Sequence, residues 1–266
     1  MIKKKLIILI PHYNDPEGLQ ISIASINEDF PVDIFVIDDG SSVELNEKEL
    51  TNSFTNGKIF FNYLEENKGL SYALNKGLEF SIKNGYEYTG RLDCRDLFVK
   101  NKCSKQLSFL DSNTDIKLLG TWAKMVDEES NQLFILKHPI KHDEIKKKMY
   151  LNNMFVHPSV IIRTEVFNDI GLYNKKYSKA AQDYDLFFRI VKKYEVANYP
   201  EVLLIYEMSL NSISSKRRRL QIRHRINIII ENFYFGLYPI HGIIRSSVLY
   251  FLSRETTTKL KSIIKK

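Results

Sequence analysis

Five short stretches of this chain set ionisable and amide side chains beside apolar runs. Pro11–Asp15 reads PHYND, Asp38–Ser42 DDGSS, Glu66–Leu70 ENKGL, Arg91–Asp96 RLDCRD and Gln182–Asp185 QDYD. Carboxylates at this density can take a proton from a hydroxyl or hold a cation, and arginine or lysine among them can hold phosphate oxygens. Singly the stretches say little: DDGSS is built of turn residues and NKGL is an ordinary helix entry. The two acids and two arginines of Arg91–Asp96 are either a solvated turn or a place where something ionic is held.

The elements around these stretches narrow the choice. Lys5–Ile10 and Asp33–Ile37 are apolar runs ended by polar or turn residues, which predicts strands. Between them Leu19, Ile23 and Ile26 recur at helical spacing behind Pro16. Lys58–Leu64 predicts a third strand, Gly69–Asn84 a helix stopped by Gly85, and Tyr86–Leu92 a fourth strand. Alternating strands and helices predict an α/β domain with a parallel, doubly wound sheet. Ligands of such sheets sit beyond the carboxyl ends of the strands, where the first four stretches fall in order. Further on, a helix is expected at Cys103–Leu110 and strands at Lys117–Met125, Leu133–Leu136, Val160–Arg163 and Val202–Tyr206. Leu186, Phe187, Ile190 and Val191 form one face of a helix that has Asp183 at its start. From Leu220 onward helices interrupted by Gly236, Pro239 and Gly242 are expected.

Composition is that of an ordinary globular protein: 266 residues, 44% hydrophobic and 27% charged. The opening MIKKKLIILI has an apolar run too short for an export signal, and Cys94 and Cys103 read as free thiols. The net charge of +7 is unevenly spread. Residues 216–266 carry twelve Lys and Arg against two acids, a net of +10, and the first 215 residues carry a net of −3. A mildly acidic body argues against a nucleic-acid-binding module, and the basic end points to an anionic surface.

The collinear series IPHYN, VIDDGSS, ENKGLSYALNKGL, RLDCRD, HPSVIIR and QDYDLFFR resembles glycosyltransferase family 2, over about 215 residues. The resemblance implies an α/β GT-A fold over residues 1–215, a Rossmann-like, mostly parallel central sheet flanked by helices. Residues 216–266 form a helical, basic and aromatic extension in this reading. It implies an inverting transferase of the bacterial surface-polysaccharide type. The partners are a nucleotide-sugar donor and a saccharide or lipid-linked acceptor, as in capsule or O-antigen assembly. Donor contacts are implied at Pro11, Tyr13, Asn14, Asp39, Asn67, Lys68, Gly69, Arg91, Asp93 and Arg95. Tyr13 would lie against the base, Asp39 would bond base or ribose, and Lys68 and Arg91 would meet donor phosphate and sugar. Asp183 matches the family's general base; the other reading is a helix N-terminal acid stabilised by the dipole. His157 and Gln182 fall on the acceptor side, Gln182 where a glutamate is common, and a core histidine is the other reading of His157.

The metal position departs from the family. Its DxD or DxDD pattern helps hold a divalent cation on the donor's diphosphate, but here Arg95 stands where the second acid is expected. Ser209 stands in place of a histidine and Glu207 in place of an arginine. The expectation is that no metal cofactor is required and that Arg95 meets the departing phosphate. The alternative is Mn2+ or Mg2+ held by Asp93 and Asp96. These departures also leave open a catalytically inactive scaffold that binds sugar nucleotides.

Glu231, Gly236, Pro239, His241 and Arg245 break every long apolar run after Lys216, so no spanning helix is expected. Basic residues among aromatic and aliphatic ones fit a helix lying in an anionic membrane interface. The alternatives are packing on the domain or a contact between subunits of a homo-oligomer. The expected location is cytoplasmic, on the inner face of the plasma membrane.

Overall fold

The computed structural model describes residues 4–208 and 217–252. Ser209, Lys216 and the residues after 252 lie outside the described residues.

The first half alternates as predicted: β1 (Lys4–His12), α1 (Pro16–Ala24), β2 (Asp33–Asp38), α2 (Glu47–Ser53), β3 (Ile59–Tyr63), α3 (Leu70–Lys83) and β4 (Tyr86–Arg91), with one helix more than expected, α2. These strands pair in parallel in the order β3-β2-β1-β4. Leu6–Ile10 of β1 are buried without alternation, because helices cover both faces of a parallel sheet. Leu74 and Leu78 of α3 pack in one core with Ile7, Leu9 and Ile37, while Leu6, Ile8 and Ile10 enter the opposite one. Gly77 lets α3 approach the sheet: a Cβ there would lie 2.7 Å from a Leu9 methyl. The crossovers leave all four strands ending on one edge, where His12, Asp38, Tyr63 and Arg91 stand.

The second half adds β5 (Leu97–Phe98), α4 (Lys102–Ser112), β6 (Ile116–Val126), β7 (Gln132–Leu136), α5 (His142–Lys148), β8 (Ile161–Arg163), α6 (Val166–Ile170), α7 (Gln182–Lys193) and β9 (Glu195–Glu207). The sheet continues from β4 through β8, β6, β9 and β5, with β7 on the side of β6. Here β4–β8, β6–β8, β6–β7 and β5–β9 are antiparallel and only β6–β9 is parallel, so the mostly parallel pattern stops at β4. The reason at β6–β7 is a short turn: Asp127 Oδ1 accepts the amides of Glu129 and Asn131 and returns the chain at once. A parallel neighbour would need a crossover.

Two helices follow, α8 (Arg218–Glu231) and α9 (Leu237–Phe251). Ile228 and Ile229 of α8 belong to the core that holds Tyr177 and Phe188. The Tyr150 hydroxyl donates to the Asn232 carbonyl at 2.7 Å, and Arg245 Nη1 to the Leu151 carbonyl at 2.8 Å. Of the three expected interruptions only Gly236 lies outside a helix, as the residue that leads into α9; α8 has already ended at Glu231. Pro239 sits in the first turn of α9, where its missing N–H costs no bond. Gly242 lies inside α9, and its missing Cβ admits the Tyr150 carbonyl oxygen, which would be 2.1 Å from that atom.

Candidate active site

Buried carboxylates assemble the strand-end edge. Asp39, 5% exposed, accepts the amides of Lys68 (2.8 Å) and Gly69 (2.9 Å), which fixes the entry to α3 beside the end of β2. Gly69 holds φ +88°, in the region that favours glycine. Burial, with Asp38 adjacent, pushes the Asp39 carboxyl above its ordinary range despite the two amides. Asp38 accepts the Ser41 amide at 2.7 Å and lies 2.6 Å from His12 Nδ1. Burial works against its charge, but the Ser41 and His12 bonds outweigh it and hold Asp38 low. His12 Nε2 accepts the Asp15 amide at 3.1 Å, which puts a ring proton on Nδ1, facing Asp38. Asn14, at φ +52°, accepts the Ser42 amide on Oδ1 and donates its own amide to Ser41 Oγ, clamping the ends of β1 and β2 together.

A cleft of about 210 Å³ opens at this edge. Of the implied donor contacts, Pro11, Tyr13, Asp39, Asn67 and Gly69 line it. Its other wall holds Ser178, Lys179, Gln182 and Arg217. Arg217, at the foot of α8, donates to the Lys179 carbonyl at 3.0 Å and so brings the C-terminal helices to the cleft. Ser178, Lys179 and Arg217 were not expected there. The signal for Arg217 was its place in the basic segment 216–266, which points to an anionic surface and not to this cleft.

Arg91, Asp93, His157, Tyr173 and Asp183 form one ionic cluster. Arg91 is 4% exposed; its Nε donates to Asp93 Oδ1 (2.6 Å) and its Nη2 to Asp93 Oδ2 (2.9 Å). Burial opposes this guanidinium's charge, but Asp93 and the neighbouring Asp183 outweigh it. Arg91 Nη1 lies against the His157 ring, and His157 Nε2 is 2.7 Å from the Tyr173 hydroxyl. Burial, then Arg91, hold the His157 pKa well below the usual value, so its ring is neutral near neutral pH.

Asp183 stands in the first turn of α7, next to the cleft residue Gln182. Asn153 Nδ2 donates to its Oδ2 at 2.8 Å. Burial raises the Asp183 pKa, against the Tyr184 amide, Arg91 and Asn153. A carboxylate raised in this way is a better proton acceptor near neutral pH. Asn153 and Tyr173 were not anticipated, because neither belongs to a motif or a periodic face.

Arg95 does not line the cleft. At φ +73° it turns toward the start of α1, where Nε donates to Asp15 Oδ2 (2.8 Å), and Nη2 to Asp15 Oδ1 (2.7 Å) and Glu17 (3.3 Å). Lys68 also lies outside the lining, its ammonium 5.3 Å from the centre of the Tyr72 ring.

These residues do not fit a dedicated divalent-ion site. Both Asp93 oxygens are taken by Arg91. Asp96, 3% exposed, accepts the Glu207 amide, and burial and Asp93 push its pKa well above the usual range. Among the described residues no three His, Cys, Asp or Glu side chains are grouped to hold an ion.

Comparison with known proteins gives a consistent picture. The sequence model of Glycosyl transferase family 2 matches residues 7–171. The chain is 30% identical over 214 residues to an uncharacterized glycosyltransferase of Methanocaldococcus jannaschii, covering 78% of this chain and 72% of that protein. It is 27% identical over 260 residues to the amylovoran biosynthesis glycosyltransferase AmsE of Erwinia amylovora, covering 94% and 92%. Among solved structures, S. aureus TarS 1-349 in complex with UDP superposes with a TM-score of 0.67 at 18% identity, over 97% of this chain and 75% of that one. The last likeness speaks to the fold alone.

Proposed function

The chain belongs to glycosyltransferase family 2, and on that premise we propose that it transfers a sugar, with inversion at the anomeric carbon, from a nucleotide-sugar donor to a hydroxyl of a saccharide or lipid-linked acceptor during surface-polysaccharide synthesis. AmsE, similar over nearly its whole length, is named for such a synthesis. The observation that carries the mechanism is Asp183: a carboxylate raised by burial and oriented by Asn153, one residue from the cleft wall.

In this reading the nucleotide enters the cleft between Tyr13 and Pro11 on one side and Asp39 on the other. Lys179 and Arg217 on the far wall meet the donor's phosphate charge. The acceptor hydroxyl approaches the anomeric carbon from the face opposite the phosphate and gives its proton to Asp183. The new C–O bond forms as the bond to the phosphate oxygen breaks, its electron pair leaving on that oxygen. The products are a glycoside of inverted configuration and a nucleoside phosphate, and Asp183 returns its proton to water. Arg91 holds Asp93 and sits near enough to Asp183 to moderate its charge.

No step runs through a divalent ion, because the carboxylates that would hold one are engaged by Arg91 and by the Glu207 amide. The phosphate role expected of Arg95 passes to Lys179 and Arg217, since Arg95 is bound to Asp15.

The test is purified chain incubated with UDP-, GDP-, dTDP- and CMP-sugars and a saccharide or lipid-linked acceptor, with and without EDTA. The expected result is one donor class turned over to a product of inverted anomeric configuration, with EDTA making little difference. Donor binding without transfer to any acceptor would favour the inactive scaffold. A complete loss in EDTA restored by manganese would overturn the metal-free part.

A further inference from the structure

The last two helices present an apolar face that no described residue covers. Along α9, Leu237, Ile240, Ile244, Val248 and Phe251 recur every three or four residues and therefore share one side of the helix. Each is exposed, Leu237 and Phe251 by more than four-fifths, and Phe235 in the preceding turn by 95%. The opposite side of α9 is already used: Pro239, Gly242 and Ser246 are buried. The stripe is thus the outer face of a packed helix, and exposed apolar surface of this extent marks an interaction site.

A second feature adjoins it. A cleft of about 400 Å³ opens between α5, α7 and the turn before α9, with Tyr150, Phe188 and Tyr234 inside and Lys146, Lys147 and Lys192 among its lining residues. Among the described residues none of these three lysines has a carboxylate at ion-pair distance, whereas the adjacent Lys148 pairs with Glu144 and Lys193 with Asp169. Asp143 is the one acid among the described residues that line the cleft. Residues 232–252 contain no Asp or Glu at all.

We propose that this face docks on an anionic lipid bilayer, with the α9 stripe and Phe235 in the interfacial layer and the lysine-rimmed cleft holding a lipid phosphate headgroup. Charge decides between the occupants. A second copy would bring a second set of unpaired lysines to the contact with Asp143 as the acid at hand to meet them, while anionic headgroups complement the rim. The shape agrees: among the described residues no helix is long and apolar enough to cross a membrane, and an acid-free helix with one apolar side lies in the plane of the interface. This inference needs neither donor nor acceptor, so it stands or falls apart from the sugar-transfer reading.

The test is flotation of the full chain with vesicles of phosphatidylcholine alone or with added phosphatidylglycerol. The chain is expected to float with the anionic vesicles at low salt, to be released by high salt, and to ignore the neutral ones. Leu237→Glu with Ile244→Glu should lower partition into anionic vesicles about tenfold or more. Lys146→Gln, Lys147→Gln and Lys192→Gln together should lower the preference for phosphatidylglycerol by at least about tenfold, since each lysine at such a surface is worth about fivefold. All five positions are exposed, and an unchanged melting temperature and circular dichroism spectrum confirm that the variants are folded. No flotation of the wild-type chain at low salt, or stripe variants that float like it, would overturn the proposal. So would a dimer in solution that Leu237→Glu with Ile244→Glu dissociates, which would make the face an interface between copies.

Discussion

The two walls of the cleft are built by different means. On the strand-end wall, carboxylate oxygens are engaged by the backbone and by one buried ring: Asp39 by the amides of Lys68 and Gly69, Asp38 by the Ser41 amide and the His12 ring. That wall is set before any ligand arrives. On the opposite wall Lys179 and Arg217 present charge from long side chains, and Arg217 is exposed and tied by one bond to a carbonyl. The difference separates shape from charge. On the proposed function, recognition of the nucleotide would rest on a wall whose failure also costs stability, and phosphate binding on a wall whose failure does not.

Substitutions on each side can break that separation. The largest effect on stability is expected in the buried ionic cluster, at Arg91. Arg91→Met leaves Asp93 without its bidentate partner beside Asp96 and should cost about 3–5 kcal/mol, read by denaturant unfolding. On the strand-end wall, Asp39→Ala leaves two amides unpaired and should cost about 1–3 kcal/mol while weakening nucleotide binding. On the opposite wall, Arg217→Ala should leave the unfolding midpoint in place and weaken donor binding about tenfold in calorimetry. If it also lowers stability as Asp39→Ala does, the contrast between the walls fails. The smallest effect is expected at Arg95. Its pair with Asp15 is partly exposed, so Arg95→Ala should change stability by about 1 kcal/mol or less and turnover little. A large loss of turnover there would return Arg95 to the phosphate.

The same contrast explains what could be read from the sequence. The strand-end wall was legible because β1 to β4 are short apolar runs whose polar ends follow one another at the spacing of strand–helix units. Pro11, Tyr13, Asp39, Asn67 and Gly69 therefore came out on the cleft. The opposite wall was not legible, because Lys179 and Arg217 are 38 residues apart and neither lies on a periodic face. β9 was expected only at Val202–Tyr206 and runs from Glu195 to Glu207, since Pro200 and the polar residues around it interrupt the apolar pattern. Its pairing with β6 shifts register there, which lets the proline stay in the strand. α2 escaped notice because Leu50 is its one buried residue. Arg95 was misplaced because a motif gives a position and not a direction: its left-handed backbone turns the side chain to Asp15.

The central claim is that Asp183 takes the acceptor's proton. Asp183→Asn keeps the shape and can still meet Asn153 through a rotated amide, so fold and donor affinity should persist. Turnover should fall by about a hundredfold or more, as for a lost general base. In the wild-type chain, turnover should fall as pH drops through the Asp183 pKa, and because burial raises that pKa the acid limb should lie above the ordinary carboxylate value of about 4. The decisive measurement is single-turnover transfer by Asp183→Asn at saturating donor and acceptor. A loss of about a hundredfold with nucleotide binding intact is the predicted result, and turnover close to that of the unaltered chain would contradict it.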